Sequence, residues 1–302
     1  MNRKDFIKKS FVSGAGIALL PSIAFDYRKS NFIKITILHT NDVHSHIDPF
    51  PENDAKYPGM GGVSKRAWLI NKIRSEEKNV LLFDSGDIFQ GTPYFNKYGG
   101  ELEFKLMSAM QYDAATIGNH DFDNGIDGLD KMLVHAKFPF LNVNYNFSST
   151  VLKNKVSNYK VFKKDNIKVG VFGLGVELDG LVLPQLYKET RYLNPIEKAI
   201  ETSEILKTTE KCDLIICLSH LGYEYNSEKV SDRVLANEVP YLDIILGGHT
   251  HTFLDKSVTI KNSENKTMIC QAGWAGLRLG RVDCWVERKN QIKEFHSNNI
   301  IL

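Results

Sequence analysis

Short apolar runs, five of them stopping at a cluster of aspartate, asparagine or histidine, constrain this chain more than any other feature of its sequence. Runs of four to eight apolar and β-branched residues read as buried strands, whereas apolar residues spaced near 3.6 apart read as one face of a helix. The first kind falls at residues 33–39, 80–83, 114–117, 138–143, 167–172, 213–219 and 242–246. Between them, Val63, Ala67, Ile70 and Ile73 mark one helix face, and Leu102, Leu106 and Met110 mark another. Further helices are expected near residues 126–135 and from Pro195, well suited to a first helical position, to about residue 210. The last stretch holds strand-like runs at Val258 and at 268–271, 280–286 and 292–296. Strands alternating with helices and ending in a strand-rich tail predict a layered α/β architecture, its sheets covered by helices. No repeat, low-complexity tract or linker divides the chain, so residues 25–302 read as one domain.

The polar ends of these strands carry the chemistry. Asn41-Asp42-Val43-His44-Ser45-His46 follows the first, Asp84-Ser85-Gly86-Asp87 the second, and Gly118-Asn119-His120-Asp121-Phe122-Asp123 the third. Later strands end in Ser219-His220 and in Gly247-Gly248-His249-Thr250-His251. Open α/β sheets place their sites beyond the carboxyl ends of strands. Each segment alone has an ordinary explanation: a capping aspartate, a tight turn through Gly and Asn, a histidine satisfied in the core. The Gly-Gly-His-Thr-His segment says more, because alternate residues of an extended segment point the same way and glycine lets a ligand approach the backbone. Five such ends in one chain make coincidence a poor account. Imidazole suits zinc, manganese, iron or cobalt, and a carboxylate can bridge two such ions. Two ions about 3.5–4 Å apart can clamp a phosphoryl group and activate water for in-line attack.

The overall charge fits that reading only if the positive partner for phosphate is local. With 38 Lys and Arg against 36 Asp and Glu, the net charge is +2, too mild to imply nucleic acid or an anionic membrane as partner. Two dications against two carboxylates would supply the missing field at the site itself.

Residues 1–24 are expected to be an export signal. Arg3, Lys4, Lys8 and Lys9 precede a weakly apolar run from Phe11 to Leu20, and Ser22-Ile23-Ala24 supplies small residues for cleavage. The run is too short to span a bilayer, and Gly14 and Gly16 would each cost a buried helix about 1 kcal/mol. The stretch from Asn2 to Lys8 also resembles a twin-arginine signal with Lys4 in place of the second arginine, so either that or the ordinary secretory route is open. The expected location is periplasmic or extracellular, without a transmembrane anchor. Cys212, Cys217, Cys270 and Cys284 show no metal-type spacing. Cys217 reads as a buried small hydrophobe, and a cross-strand disulfide between Cys270 and Cys284 stays open in an oxidising compartment.

Asp42-Val43-His44, Gly86-Asp87, Gly118-Asn119-His120-Asp121, His220 and Gly248-His249-Thr250-His251 together resemble the calcineurin-like metallophosphatases. The flanks Leu38-His39-Thr40-Asn41, Gly61-Gly62-Val63, Gly91-Thr92-Pro93, Asp121-Phe122-Asp123 and Gly273-Trp274-Ala275-Gly276 are similar to the 5′-nucleotidase and UDP-sugar hydrolase branch, and the resemblance spans roughly residues 33–298. It implies a four-layer α/β/β/α sandwich. It also implies that Asp42, His44 and His251 hold one divalent ion, that Asn119, His220 and His249 hold the second, and that Asp87 bridges them. His120 would stand beside the phosphate, oriented by Asp123. His46 is expected near the entrance and Asp84 in a supporting or turn-capping role, while His135 and His296 are expected to be structural or surface residues.

The implied activity is hydrolysis of phosphate esters, with nucleotides converted to nucleosides. Alternatives are a phosphodiesterase acting on cyclic nucleotides, UDP-sugars or nucleic-acid ends, a sulfur-ester hydrolase, and a metal-binding surface protein whose catalysis has decayed. Members of this branch continue into a second domain that supplies arginines and an aromatic sandwich for the base. With Leu302 just past the last predicted strand, substrate recognition is expected either to come from a separate chain or to be dispensable for simpler esters.

Overall fold

The computed structural model describes residues 32–262, 266–289 and 291–302; the expected export signal over residues 1–24 lies outside them. Thirteen strands are present among the described residues: β1 (Ile33–Thr40), β2 (Val80–Asp84), β3 (Ala114–Ala115), β4 (Tyr145–Asn146), β5 (Tyr159–Lys164), β6 (Ile167–Leu174), β7 (Arg191–Tyr192), β8 (Leu214–Ser219), β9 (Ile244–Gly247), β10 (Val258–Lys261), β11 (Lys266–Cys270), β12 (Arg278–Glu287) and β13 (Ile292–Ile301). The first sheet runs β13-β12-β1-β2-β3 and the second β10-β11-β9-β8-β6-β5, while β4 and β7 form a two-stranded pair. β1, β2 and β3 are parallel, as are β6, β8, β9 and β11. Antiparallel strands form three of the four outer edges, β13, β10 and β5, while the edge strand β3 is parallel to β2.

Alternation along the strands assembles the layers. Ile35 and Ile37 of β1, Leu81 and Phe83 of β2, and Val282 and Cys284 of β12 meet Val169, Val171, Ile216, Leu218, Ile244 and Leu246 of the second sheet in one buried layer. The opposite parity faces helices. Leu38 and Leu82 pack with Ile70 and Ile73 of α1 (Val63–Glu76), and α2 (Pro93–Tyr98), α3 (Glu101–Ala109) and α4 (Gly125–Met132) add Phe95, Phe104 and Met107, Ile126 and Leu129 to the same layer. After the short α5 (Pro184–Tyr187), α6 (Pro195–Glu204) and α7 (Asp232–Glu238) cover the far face of the second sheet with Ala199, Leu235 and Ala236. The order helix, sheet, sheet, helix is the expected four-layer arrangement. Strands buried on both faces read as continuous apolar runs, which is why β2, β8 and β9 stand out in the sequence.

Several elements differ from the sequence expectation. The strand expected at 114–117 keeps only two residues, and 138–143 is no strand, joining its neighbours through isolated bridges at Phe140 and Leu141. The buried face of α3 centres on Phe104 and Met107, with Glu103 buried beside them. Leu102 and Leu106 are half-buried. β5 escapes a pattern search because Lys160, Lys163 and Lys164 interrupt its apolar residues, as suits an edge strand. All four cysteines are free and buried. Cys270 of β11 and Cys284 of β12 sit on different sheets and share the layer between them, so they are not cross-strand neighbours.

Candidate metal centre

The carboxyl ends of β1, β2, β3, β8 and β9 lie on one edge of the sandwich, and the loops after them interlock. The loop after β1 is zipped to that after β2 by Asp42 N–H to Gly86 O (2.9 Å), His44 N–H to Asp87 O (3.1 Å) and Ser45 N–H to Ile88 O (2.9 Å). Asp121 ties in the loop after β3: its buried carboxylate accepts from the backbone N–H of Gly118, Asp87, Ile88 and Phe89. The second sheet joins through Ser85 Oγ donating to Leu246 O (2.7 Å) and through His249 N–H, 3.0 Å from both carboxylate oxygens of Asp42. The loops cross closely at two glycines. A side chain on Gly118 would run into Asp87 and His220, and one on Gly248 would crowd His220, Ser85 O and Asp42.

Two clusters result, each drawing on both sheets. Asp42, His44 and His251 bring one ligand atom apiece within 4.8 Å of one another, and Asp87, His220 and His249 do the same. Asp87 faces both: its Oδ2 lies 3.1 Å from His220 Nε2 and 3.8 Å from His44 Nε2. Asp42, His44, Asp87, His249 and His251 all have φ between 49° and 69°. Left-handed backbone is uncommon away from glycine and costs on the order of 1–3 kcal/mol per residue where nothing compensates it. Five such residues in one site mark a constellation held in place by its surroundings.

The donor chemistry fits divalent metal. Asn119 Oδ1 and His220 Nε2 are buried without a hydrogen-bond partner, and an unpaired buried polar atom calls for an explanation such as an ion. His220 Nε2, although close to Asp87, lacks the alignment a hydrogen bond needs. Its Nδ1 donates to Ser85 O (2.7 Å), and His44 Nδ1 reaches Phe89 O at 3.1 Å. Such carbonyl contacts orient the other ring nitrogen of a ligating histidine. Burial, with His220 beside it, lowers His249 to about 4, and burial likewise lowers His44; both shifts favour the neutral imidazole that a ligand must be. Burial would raise Asp87, but His220, His44 and His120 outweigh it and hold the carboxylate below its ordinary range. Conversely, Asp87 outweighs the desolvation of His220 and raises its pKa, an attraction between the two groups that a bound ion would replace.

His120 stands over the clusters, its ring 5.2 Å from that of His44. Its Nδ1 bonds to Asp123 Oδ2 (2.8 Å), and its backbone N–H donates to Asp87 Oδ1 (2.8 Å). The Asp123 hydrogen bond is the main reason its pKa is raised. His46 stacks on Phe50 and meets the edge of Trp274, and Asp84 accepts from Gly86 N–H (2.9 Å), capping the turn that presents Asp87. His135 lies 4.0 Å from Glu101, and His296 packs on Trp285, both away from this edge. The sequence reading gave no role to Asp121 or Asn41, yet Asn41 bonds to Asp42, Gly273 O and Ala272 N–H. Their positions beside the His and Asp motifs were the available signal.

The chain belongs to the calcineurin-like phosphoesterase family, whose model matches residues 35–253. It is 38% identical over 291 residues to a snake venom 5′-nucleotidase from Naja atra, covering 89% of this chain and 53% of that protein. The 5′-nucleotidase precursor from Thermus thermophilus superposes with a TM-score of 0.81 at 28% identity, over 89% of this chain and 55% of the other. Calcineurin-like phosphoesterase YfkN from Bacillus subtilis gives 0.72 at 27% identity, over 89% and 90%. The chain thus spans about half the length of the Naja relative it matches. Among the described residues no helix is long and apolar enough to cross a membrane.

Proposed function

We propose that this chain is the catalytic domain, over residues 25–302, of an exported 5′-nucleotidase-like enzyme that hydrolyses nucleotides to nucleosides and phosphate. The observation that carries the reading is the meeting of two Asp/His/His clusters around one carboxylate, Asp87. Asp42, His44 and His251 would hold one divalent ion and Asn119, His220 and His249 the other, with Asp87 between them. Manganese, zinc, cobalt or iron suits this nitrogen-rich set. The bound pair supplies Lewis acidity toward the phosphoryl oxygens and lowers the pKa of the attacking water.

The chain's own groups do the rest. Asp123 fixes His120 with Nδ1 toward itself, leaving Nε2 to donate a proton to a phosphoryl or leaving-group oxygen. The Asp123 hydrogen bond raises the pKa of His120, which favours the protonated form this role needs. Export through the segment at residues 1–24 accords with the precursor and venom relatives.

The test is hydrolysis of AMP, p-nitrophenyl phosphate and bis-(p-nitrophenyl) phosphate by protein loaded with manganese, zinc or cobalt. Chelator should abolish turnover, and His120→Ala should lower kcat by about 10²–10⁴-fold while two ions stay bound. Turnover that survives chelation, or a His120→Ala variant as fast as the parent, would overturn the proposal. Turnover of the generic monoester with poor use of AMP would point to recognition residues outside this chain, and preference for the diester to the phosphodiesterase alternative.

A further inference from the structure

His251 is the most exposed of the clustered histidines. Its side chain is 41% exposed, whereas that of His220 is fully buried. His44 and His220 are each aimed by a backbone carbonyl at Nδ1. Among the described residues, the polar contacts of the His251 ring run only through Nε2, 3.0 Å from His44 Nε2 and 3.4 Å from Asp42 Oδ1. What faces its ring is Trp274, stacked at 7° with centroids 5.7 Å apart.

The indole is itself held. Ala275 N–H donates to Asp42 O (2.7 Å), and Asn41 Nδ2 to Gly273 O (2.6 Å), so the loop carrying Trp274 is pinned to the segment that supplies Asp42. Gly273 at φ 88° and Ala275 at φ 55° give this loop its turn. His46, Phe50 and Tyr57 set their rings at 87°, 76° and 70° to the indole, boxing it in from the side.

We infer that Trp274 is a positioning residue for His251, taking the place of the missing carbonyl contact and setting the affinity of the more exposed metal position. This rests on the metal-centre reading above and adds a specific consequence to it: the two positions differ in affinity, and Trp274 acts on only one of them. A flat ring parallel to the imidazole restricts its rotation while leaving Nε2 free toward Asp42 and His44.

Cobalt titration of metal-free full-length protein, followed by calorimetry and by the visible absorption of the bound ion, tests this. The parent should bind two equivalents. Trp274→Ala should retain the tighter one and weaken the other by about tenfold or more, the lower end of what outer-shell changes cost metal sites. Trp274→Phe, which keeps a flat ring, should recover most of the loss, and Trp274→Leu, which keeps bulk alone, should not. Equal affinities in parent, Ala and Leu variants would overturn the inference, as would equal weakening of both equivalents, the mark of a merely structural role. A parent that binds no cobalt would overturn the metal-centre reading, and this inference with it.

Discussion

The cluster of Asp87, His220 and His249 and the cluster of Asp42, His44 and His251 are built from the same residue types, yet they relate to solvent differently. His220 is fully buried at the end of β8 and oriented by Ser85 O. His251 stands at the mouth, two-fifths exposed and leaning on an aromatic ring. Both clusters are thus rooted in buried residues, and they differ in one member: Asp42 and His44 are buried like Asp87 and His220, while His251 rests on a surface loop. A shared carboxylate does not make the two halves equivalent: His251 alone among the clustered histidines is exposed, so altering it should cost the fold less than altering His220.

Breaking the shared element should have the largest consequence. Asp87→Asn removes the charge that both clusters face, and activity should fall below detection, beyond the roughly 10²–10⁴-fold loss expected for His120→Ala. Metal content measured on the purified variant should drop from two ions to fewer than one. Retention of two ions would mean that the halves are independent.

Next in size is a contrast in folding stability between the halves, measured by urea denaturation of chelated protein. His220→Ala leaves Asp87 buried without its main cationic partner and opens a cavity, which should cost about 3–5 kcal/mol. His251→Ala removes a partly exposed ring, so the change should stay near 1 kcal/mol or less. Equal costs would erase the distinction drawn here.

A smaller effect concerns β1, the strand that leads into the exposed half. His39 is buried there with neither ring nitrogen partnered, and burial lowers its pKa from 6.5 to about 4. Because the folded pKa lies below the unfolded one, the unfolded chain takes up the proton first as pH falls from 6.5 toward 4. Stability should therefore be unaffected by His39 above that window and decline through it, by up to about 3 kcal/mol. His39→Leu should flatten this part of the pH–stability curve. An unchanged slope would show that His39 is not responsible.

Much of this was legible in the sequence because it depends on local pattern. Continuous apolar runs announced β2, β8 and β9, and the polar residues just beyond them announced where chemistry could collect. Elements whose burial comes from distant partners were not legible in the same way. Glu103 lies inside the face of α3, where no helical pattern would place a carboxylate. β5 hides under its lysines, and the stretch at 138–143 is apolar enough for a strand but forms only single bridges.

The residue types of the site, their order along the chain and their attachment to strand ends follow from the sequence alone, since strand and turn preferences act over a few residues. Which aspartate meets which histidine does not. Asp42 lies more than 200 positions from His251, and Asp87 more than 130 from His220. Each cluster exists only because the layer of Ile37, Phe83, Ile216 and Ile244 packs two sheets face to face with their carboxyl edges aligned. The burial that separates His220 from His251, the left-handed backbone at five clustered residues and the stacking of Trp274 are products of that packing. Local propensity carries no information about them, because each depends on chain segments brought together by the core.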